Sequence, residues 1–103
     1  MLSRKLKIVA IYKLSPRAEQ DLIDIYQRGL QQWGARQAES YQREIISCFH
    51  LLTENPEMGR KVSIRPQLQL HEIKPYIIFY RKFSYGVRIA RILYKNRLVE
   101  KHI

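Results

Sequence analysis

Cysteine, acidic side chains and long apolar runs are the scarce components of this 103-residue chain. Cys48 is the single cysteine, so neither an internal disulfide nor a thiolate metal cluster can form. It falls among apolar residues at helical spacing and reads as a small core residue. The four glycines are scattered, which excludes a Gly-rich phosphate loop. His50, His71 and His102 have no partner four residues away and no Cys or carboxylate cluster beside them, so no metal site is expected. His71 and Glu72 are adjacent, but neighbours on a strand point to opposite faces and cannot share acid–base work directly. No apolar run approaches the roughly 18–20 residues of a membrane span. The opening Met1–Ile11 turns from basic to apolar, yet its apolar part is short and Lys13 ends it, unlike a signal peptide. A single cytoplasmic domain spanning residues 1–103 is the expectation.

Bases are plentiful: 19 Lys and Arg against 9 Asp and Glu, a formal net charge of +10. Their distribution is uneven. Residues 14–55 carry four bases and six acids, residues 56–103 carry eleven bases and three acids, and residues 1–13 add four bases and no acid. A field of this shape favours an acidic partner, a nucleic acid, or a protein that handles nucleic acid. Arg60, Lys61, Arg65, Lys74, Arg81, Lys82, Arg88, Arg91, Lys95 and Arg97 are the basic cluster. Tyr76, Tyr80, Tyr85 and Tyr94 interleave with it, either as stacking platforms or as core residues with a polar tip.

Hydropathy patterning predicts β-α-α-β-β-β. Ile8–Tyr12 is a short β-branched strand. Ser15-Pro16 starts a helix, with serine as cap and proline at the first helical position. Ala18, Leu22, Ile25, Gly29 and Trp33 form its apolar face, and Gly34 interrupts. A second helix runs from about Ala35 to Glu54 with Ala38, Tyr41, Ile45, Cys48 or Phe49, and Leu52 inward; Asn55-Pro56 ends it. Residues 57–67 read as a basic loop. Leu68–Ile73, Tyr76–Tyr80 and Val87–Tyr94 read as strands, with a turn at Ser84-Tyr85-Gly86. The fold class is α+β, a helical hairpin on one face of a mostly antiparallel sheet.

Two chemistries suit the basic sheet. One is binding alone. The other is metal-independent RNA cleavage, with Arg65, Arg81 and Arg91 on phosphate and Tyr94, His71 or Glu72 handling protons. A tyrosine titrates near pH 10, so Tyr94 as base would need electropositive tuning from neighbours such as Arg91 and Lys95.

From Tyr12 onward the chain resembles ParE toxins of the RelE/ParE superfamily. Tyr12–Tyr26 resembles that family's strand-one exit and first helix, and Trp33-Gly34 with Ala38 and Tyr41 its second-helix start. Leu51-Leu-Thr-Glu-Asn-Pro-Glu-Met-Gly59 resembles its helix-ending signature. Ile64-Arg-Pro66, Tyr76-Ile-Ile-Phe-Tyr-Arg81 and Arg91-Ile-Leu93 resemble its sheet. The resemblance implies a toxin of a type II toxin–antitoxin system that poisons DNA gyrase without catalysis or cofactor, through Arg81, Arg91, Tyr94, Lys95 and Arg97. It implies a ParD-like antitoxin that binds operator DNA and wraps the toxin, here over Leu22, Ile25, Trp33, Tyr76 and Arg88. The alternatives are a ribosome-dependent mRNA endonuclease using Tyr94, Arg65, Arg81 and Arg91, and a degenerate toxin that only binds antitoxin. The ending departs from many relatives: Tyr94 stands where they have His, and Arg97-Leu98 where they have Met-Asp.

Overall fold

A computed structural model describes residues 10–95. Its elements are β1 (Ile11–Leu14), α1 (Pro16–Trp33), α2 (Ala35–Glu54), β2 (Arg60–Val62), β3 (Arg65–Ile73), β4 (Tyr76–Phe83) and β5 (Gly86–Tyr94). The five strands form one sheet in the order β1-β5-β4-β3-β2, with β1 parallel to β5 and the other pairs antiparallel. The helical hairpin on a mostly antiparallel sheet is therefore as the sequence predicts. None of the described helices is long and apolar enough to cross a membrane.

Several boundaries differ from expectation: β3 begins at Arg65 and not Leu68, β4 runs on to Phe83 past Tyr80, and β5 begins at Gly86. The first strand begins at Ile11, because the parallel register sets Ile11–Leu14 against Gly86–Ile89; residues 8 and 9 lie outside the described residues. The basic loop at 57–67 contains a short strand, β2, that folds back on the start of β3. Pro66 is tolerated there because β4 pairs only from Gln69 onward, so its missing N–H breaks no ladder on that side.

Local chemistry explains the helix ends. Ser15 Oγ accepts the Ala18 N–H at 3.0 Å and donates to the Ala90 carbonyl at 2.7 Å, so one hydroxyl caps α1 and ties it to β5. Gly34, at φ 86°, takes a conformation open to glycine and reverses the chain between the helices. Tyr80 closes the far end of α2. Its hydroxyl donates to the Pro56 carbonyl at 2.8 Å and accepts the Gly59 N–H at 2.9 Å. The Gln69 amide donates to the Pro56 and Gly59 carbonyls at 2.9 and 3.1 Å. These bonds satisfy a buried tyrosine and a buried glutamine.

The main core lies between helices and sheet. Ala18, Ile25, Ile45, Phe49 and Leu52 meet Tyr76, Ile78, Tyr80, Val87, Ile89 and Ile92. Alternation along β4 sends Ile77 and Phe79 to the other face, where they cluster with Val62, Leu68 and Leu93. Tyr76 and Tyr80 are thus core residues, which settles their two readings in favour of packing.

Gly86 positions β1. It sits at φ 142°, and a Cβ there would stand 1.9 Å from the Ile11 carbonyl oxygen. Replacing Gly86 with Ala is expected to destabilise the protein by about 3 kcal/mol or more, read as a lowered denaturant midpoint. An unchanged midpoint would show that β1 docks in another way.

Candidate functional site at the Gly34 end of the helical hairpin

β1 stops at Leu14, but β5 runs on to Tyr94, so the edge of β5 beyond Ile89 needs other partners. The chain supplies them from α1. Ser15 takes up the Ala90 carbonyl, and the Asp21 carboxylate accepts the Ile92 N–H at 2.9 Å. Asp21 also accepts from Arg91 Nε at 2.8 Å and Arg91 Nη2 at 3.0 Å. A bulge precedes this clamp: Phe79 pairs with Arg91 and Tyr80 with Ile89, leaving Ala90 as the extra residue. Both side chains are largely buried, at 18% and 12% exposed. The bonds from Asp21 hold the Arg91 guanidinium above its ordinary pKa, outweighing the opposite effect of burial.

The clamp forms the floor of a polar cleft lined by Asp21, Asp24, Gln27, Arg28, Gln31, Arg91 and Tyr94. Tyr76 and Tyr94 form a shared wall, packed edge to face with centroids 5.4 Å apart. Behind it lies an apolar groove of about 460 Å³, lined by Ile25, Gly29, Trp33, Ala38, Tyr41, Pro75, Tyr76 and Tyr94. Trp33 is 64% exposed, against its expected place on the packed helix face. It stands in the last turn of α1 and borders the groove. The Tyr41 hydroxyl bonds to the Ile73 and Lys74 carbonyls at 3.0 and 2.9 Å, fixing α2 to the β3–β4 turn. Burial, then neighbouring Tyr76, Glu44 and Cys48, push its phenol pKa up, so it remains a donor.

The expected site residues separate into several places. Ile25, Trp33, Tyr76 and Tyr94 share the groove, and Arg91 meets Tyr94 in the adjoining cleft. Leu22 is half-buried against the main core. Lys95 is ion-paired with Glu72 at 3.0 Å. Arg81 and Arg88 are cross-strand neighbours at the other end of β4 and β5. Arg65 is at the start of β3 beside β2. Arg97 and His102 lie outside the described residues. Part of the basic cluster is neutralised, since Lys82 also pairs with Glu57. Among the described residues no group of three or more His, Cys, Asp or Glu side chains could hold a metal.

Asp21 and Pro75 were not singled out in the sequence, and Tyr41 only as an inward-facing helix residue. Nothing near Asp21 in the sequence marks its role, because its partner lies 70 residues away. Tyr41 and Pro75 become neighbours of Trp33 only once the hairpin docks on the sheet.

This architecture is that of a small α+β domain, a helical hairpin on one face of a five-stranded mixed sheet. The description "ParE toxin of type II toxin-antitoxin system, parDE" matches residues 12–99. Toxin ParE1 of Caulobacter vibrioides is 32% identical over 93 residues, covering 89% of this chain and 96% of the relative. Toxin ParE1 of Mycobacterium tuberculosis is 31% identical over 94 residues, with the same coverage of both chains. A solved chain described as "Chromosomal ParDE TA system from P. aeruginosa" aligns with a TM-score of 0.71 over 82% of this chain and 95% of its own, at 19% identity, a likeness of fold. The chain belongs to the ParE toxin family.

Asp21→Ala leaves the Arg91 charge and the Ile92 N–H without their shared acceptor, and is expected to cost about 3 kcal/mol in chemical denaturation. A loss below about 0.5 kcal/mol would show that β5 does not depend on the clamp. At the opposite face, hydrogen bonding and attraction from Lys95 hold the Glu72 carboxyl below its ordinary value. Its stabilising contribution is therefore present above the unfolded pKa and fades as pH falls through the lowered folded value. NMR titration should show Glu72 moving back up in Lys95→Met.

Proposed function

We propose that this ParE-family toxin inhibits DNA gyrase by binding, and that an antitoxin neutralises it by seating an apolar segment in the groove behind Tyr76 and Tyr94. The observation that carries the non-catalytic reading is the dispersal of the groups a ribonuclease would use. RNA cleavage needs a base, an acid and phosphate-stabilising cations around one scissile phosphate. Arg81 and Tyr94 belong to opposite ends of β4 and β5, because Tyr94 pairs with Tyr76 and Arg81 with Arg88. Five residues of strand separate those rows, roughly 17 Å. Arg65 is further removed across the sheet, and the Arg91 fork is engaged by Asp21. Binding requires no such convergence.

The proposed target surface comprises Tyr94 and Lys95 at the end of β5, with Arg81 and Arg91 on the same two strands and the basic residues that follow in sequence. Purified toxin should inhibit gyrase supercoiling and accumulate cleaved DNA, and Tyr94→Ala should reduce both effects. Unimpaired supercoiling at saturating toxin would overturn the gyrase reading, and codon-dependent cleavage of mRNA on ribosomes would replace it with the endonuclease.

The antitoxin reading rests on the groove's chemistry. Apolar and aromatic side chains line it, its rim carries Arg28, Gln32 and Gln37, and Trp33 stands exposed at one side. An amphipathic segment with acidic flanks would match both the groove and the protein's positive field. Binding of the antitoxin's C-terminal segment should shift the emission of Trp33, the single tryptophan. Trp33→Ala should weaken binding by about 2 kcal/mol or more, as a central aromatic anchor does. An antitoxin that binds the variant with unchanged affinity, and leaves Trp33 emission unaltered in the native toxin, must dock elsewhere.

A further inference from the structure

At the end of the sheet opposite the groove, three cations stand in one cross-strand row. Lys13 of β1 is in register with Arg88 of β5, and Arg88 with Arg81 of β4. Val87 and Ile89 pack under the helices, so alternation sends Arg88 and its row to the helix-free face. All three side chains are exposed, and no ion pair among the described residues neutralises any of them. Like charges directly opposite one another on a sheet destabilise it. The row nonetheless has built supports. Phe83 and Tyr85 stack with centroids 5.3 Å apart and planes 3° apart. The Arg81 guanidinium lies 5.1 Å from the Phe83 ring and the Lys13 ammonium 4.4 Å from the Tyr85 ring. Two residues along, the next row on this face sets Ile11, 46% exposed, and Phe83, 38% exposed, on either side of Gly86.

We infer that this cation row and its aromatic pair form a binding surface for single-stranded nucleic acid, separate from the groove; it shares Arg81 with the surface proposed for gyrase but does not rest on that reading. Adjacent strands are about 4.8 Å apart, so the row spans about 10 Å. That length suits two or three successive phosphates. An acidic peptide would satisfy the cations but would leave the exposed Phe83 and Ile11 and the half-buried Tyr85 without a role, whereas unpaired bases carry π faces next to their phosphates. Unstacked bases use aromatic rings and guanidinium planes in this way on other sheet surfaces. Paired bases would hide those faces, so duplex should bind more weakly at equal charge.

The test is fluorescence anisotropy of the purified toxin with short labelled oligo-dT and oligo-U, a duplex of the same length, and a poly-glutamate peptide, across a salt series. Both single strands should bind, with affinity falling as roughly the second power of salt concentration for three phosphate contacts. Arg88→Gln should reduce affinity on the order of tenfold and flatten the salt dependence by about 0.7 of a power. The same change relieves the like-charge row, so its denaturant midpoint should hold or rise. Lys13→Gln serves as a second variant with the same expectation. Phe83→Ala should weaken binding while leaving the salt dependence as it was. The inference is overturned by absence of oligonucleotide binding at low salt, by binding that both charge variants leave unchanged, or by tighter binding of poly-glutamate or duplex than of single strands. A dT-over-U or U-over-dT preference would identify the natural strand as DNA or RNA.

Discussion

The fold depends on one carboxylate. Asp21 accepts hydrogen bonds from the Ile92 main chain and from Nε and Nη2 of Arg91, and so acts as the continuation of β1 along β5. Without it, the half of β5 beyond Leu14's register would be an open edge above a helix. Burying an ion pair is costly, and the attraction between the partners returns that cost only when the geometry is good and the remaining donors are satisfied. Here a bidentate fork and a main-chain amide satisfy the carboxylate together. What the pair supplies is position, since it fixes the direction in which the last strand leaves the sheet.

That direction determines the groove. The bulge at Ala90 shifts the alternation of β5, so Ile89 and Ile92 both face the helices and Tyr94 arrives beside Tyr76. α1 and α2 approach closely at Gly29 and Ala38, where small side chains meet, and Trp33, one turn further on beside the Gly34 connection, stands exposed outside the core. Tyr41 then joins α2 to the turn between β3 and β4. The groove's walls therefore come from both helices and both central strands. Its apolar character follows from interrupting a core before it is closed.

Much of this architecture was legible in the chain itself. Ser15-Pro16, Gly34 and Asn55-Pro56 mark both helices, because capping and proline chemistry act within a few residues. The continuous apolar run Tyr76–Tyr80 marks a central strand, because burial on both faces removes alternation. β2 was hidden, since three residues give too little periodicity and two of them are basic. The site was less legible than the fold. Trp33 fits the helical repeat by spacing, and only the end of the sheet decides that it remains exposed. The basic cluster was visible as composition, but which cations are neutralised depends on register. Lys82, Arg91 and Lys95 find acids, whereas Lys13, Arg81 and Arg88 align with one another.

Register also keeps the two ends of the sheet distinct. Tyr94 pairs with Tyr76 at one end of β4, and Arg81 with Arg88 near the other. Surface potentials add over a Debye length of about 8 Å at physiological ionic strength, whereas the two rows are roughly 17 Å apart. Each end therefore presents its own local field, apolar with a polar rim at the groove and strongly positive at the β4–β5 turn. An occupant of the groove would leave the cation row uncovered unless it were long enough to cross the sheet. The positive row would in turn attract anions without any change in the groove. The helices cover only one face, and the sheet extends past them, so a chain of this size can offer two chemically different surfaces on one pair of strands.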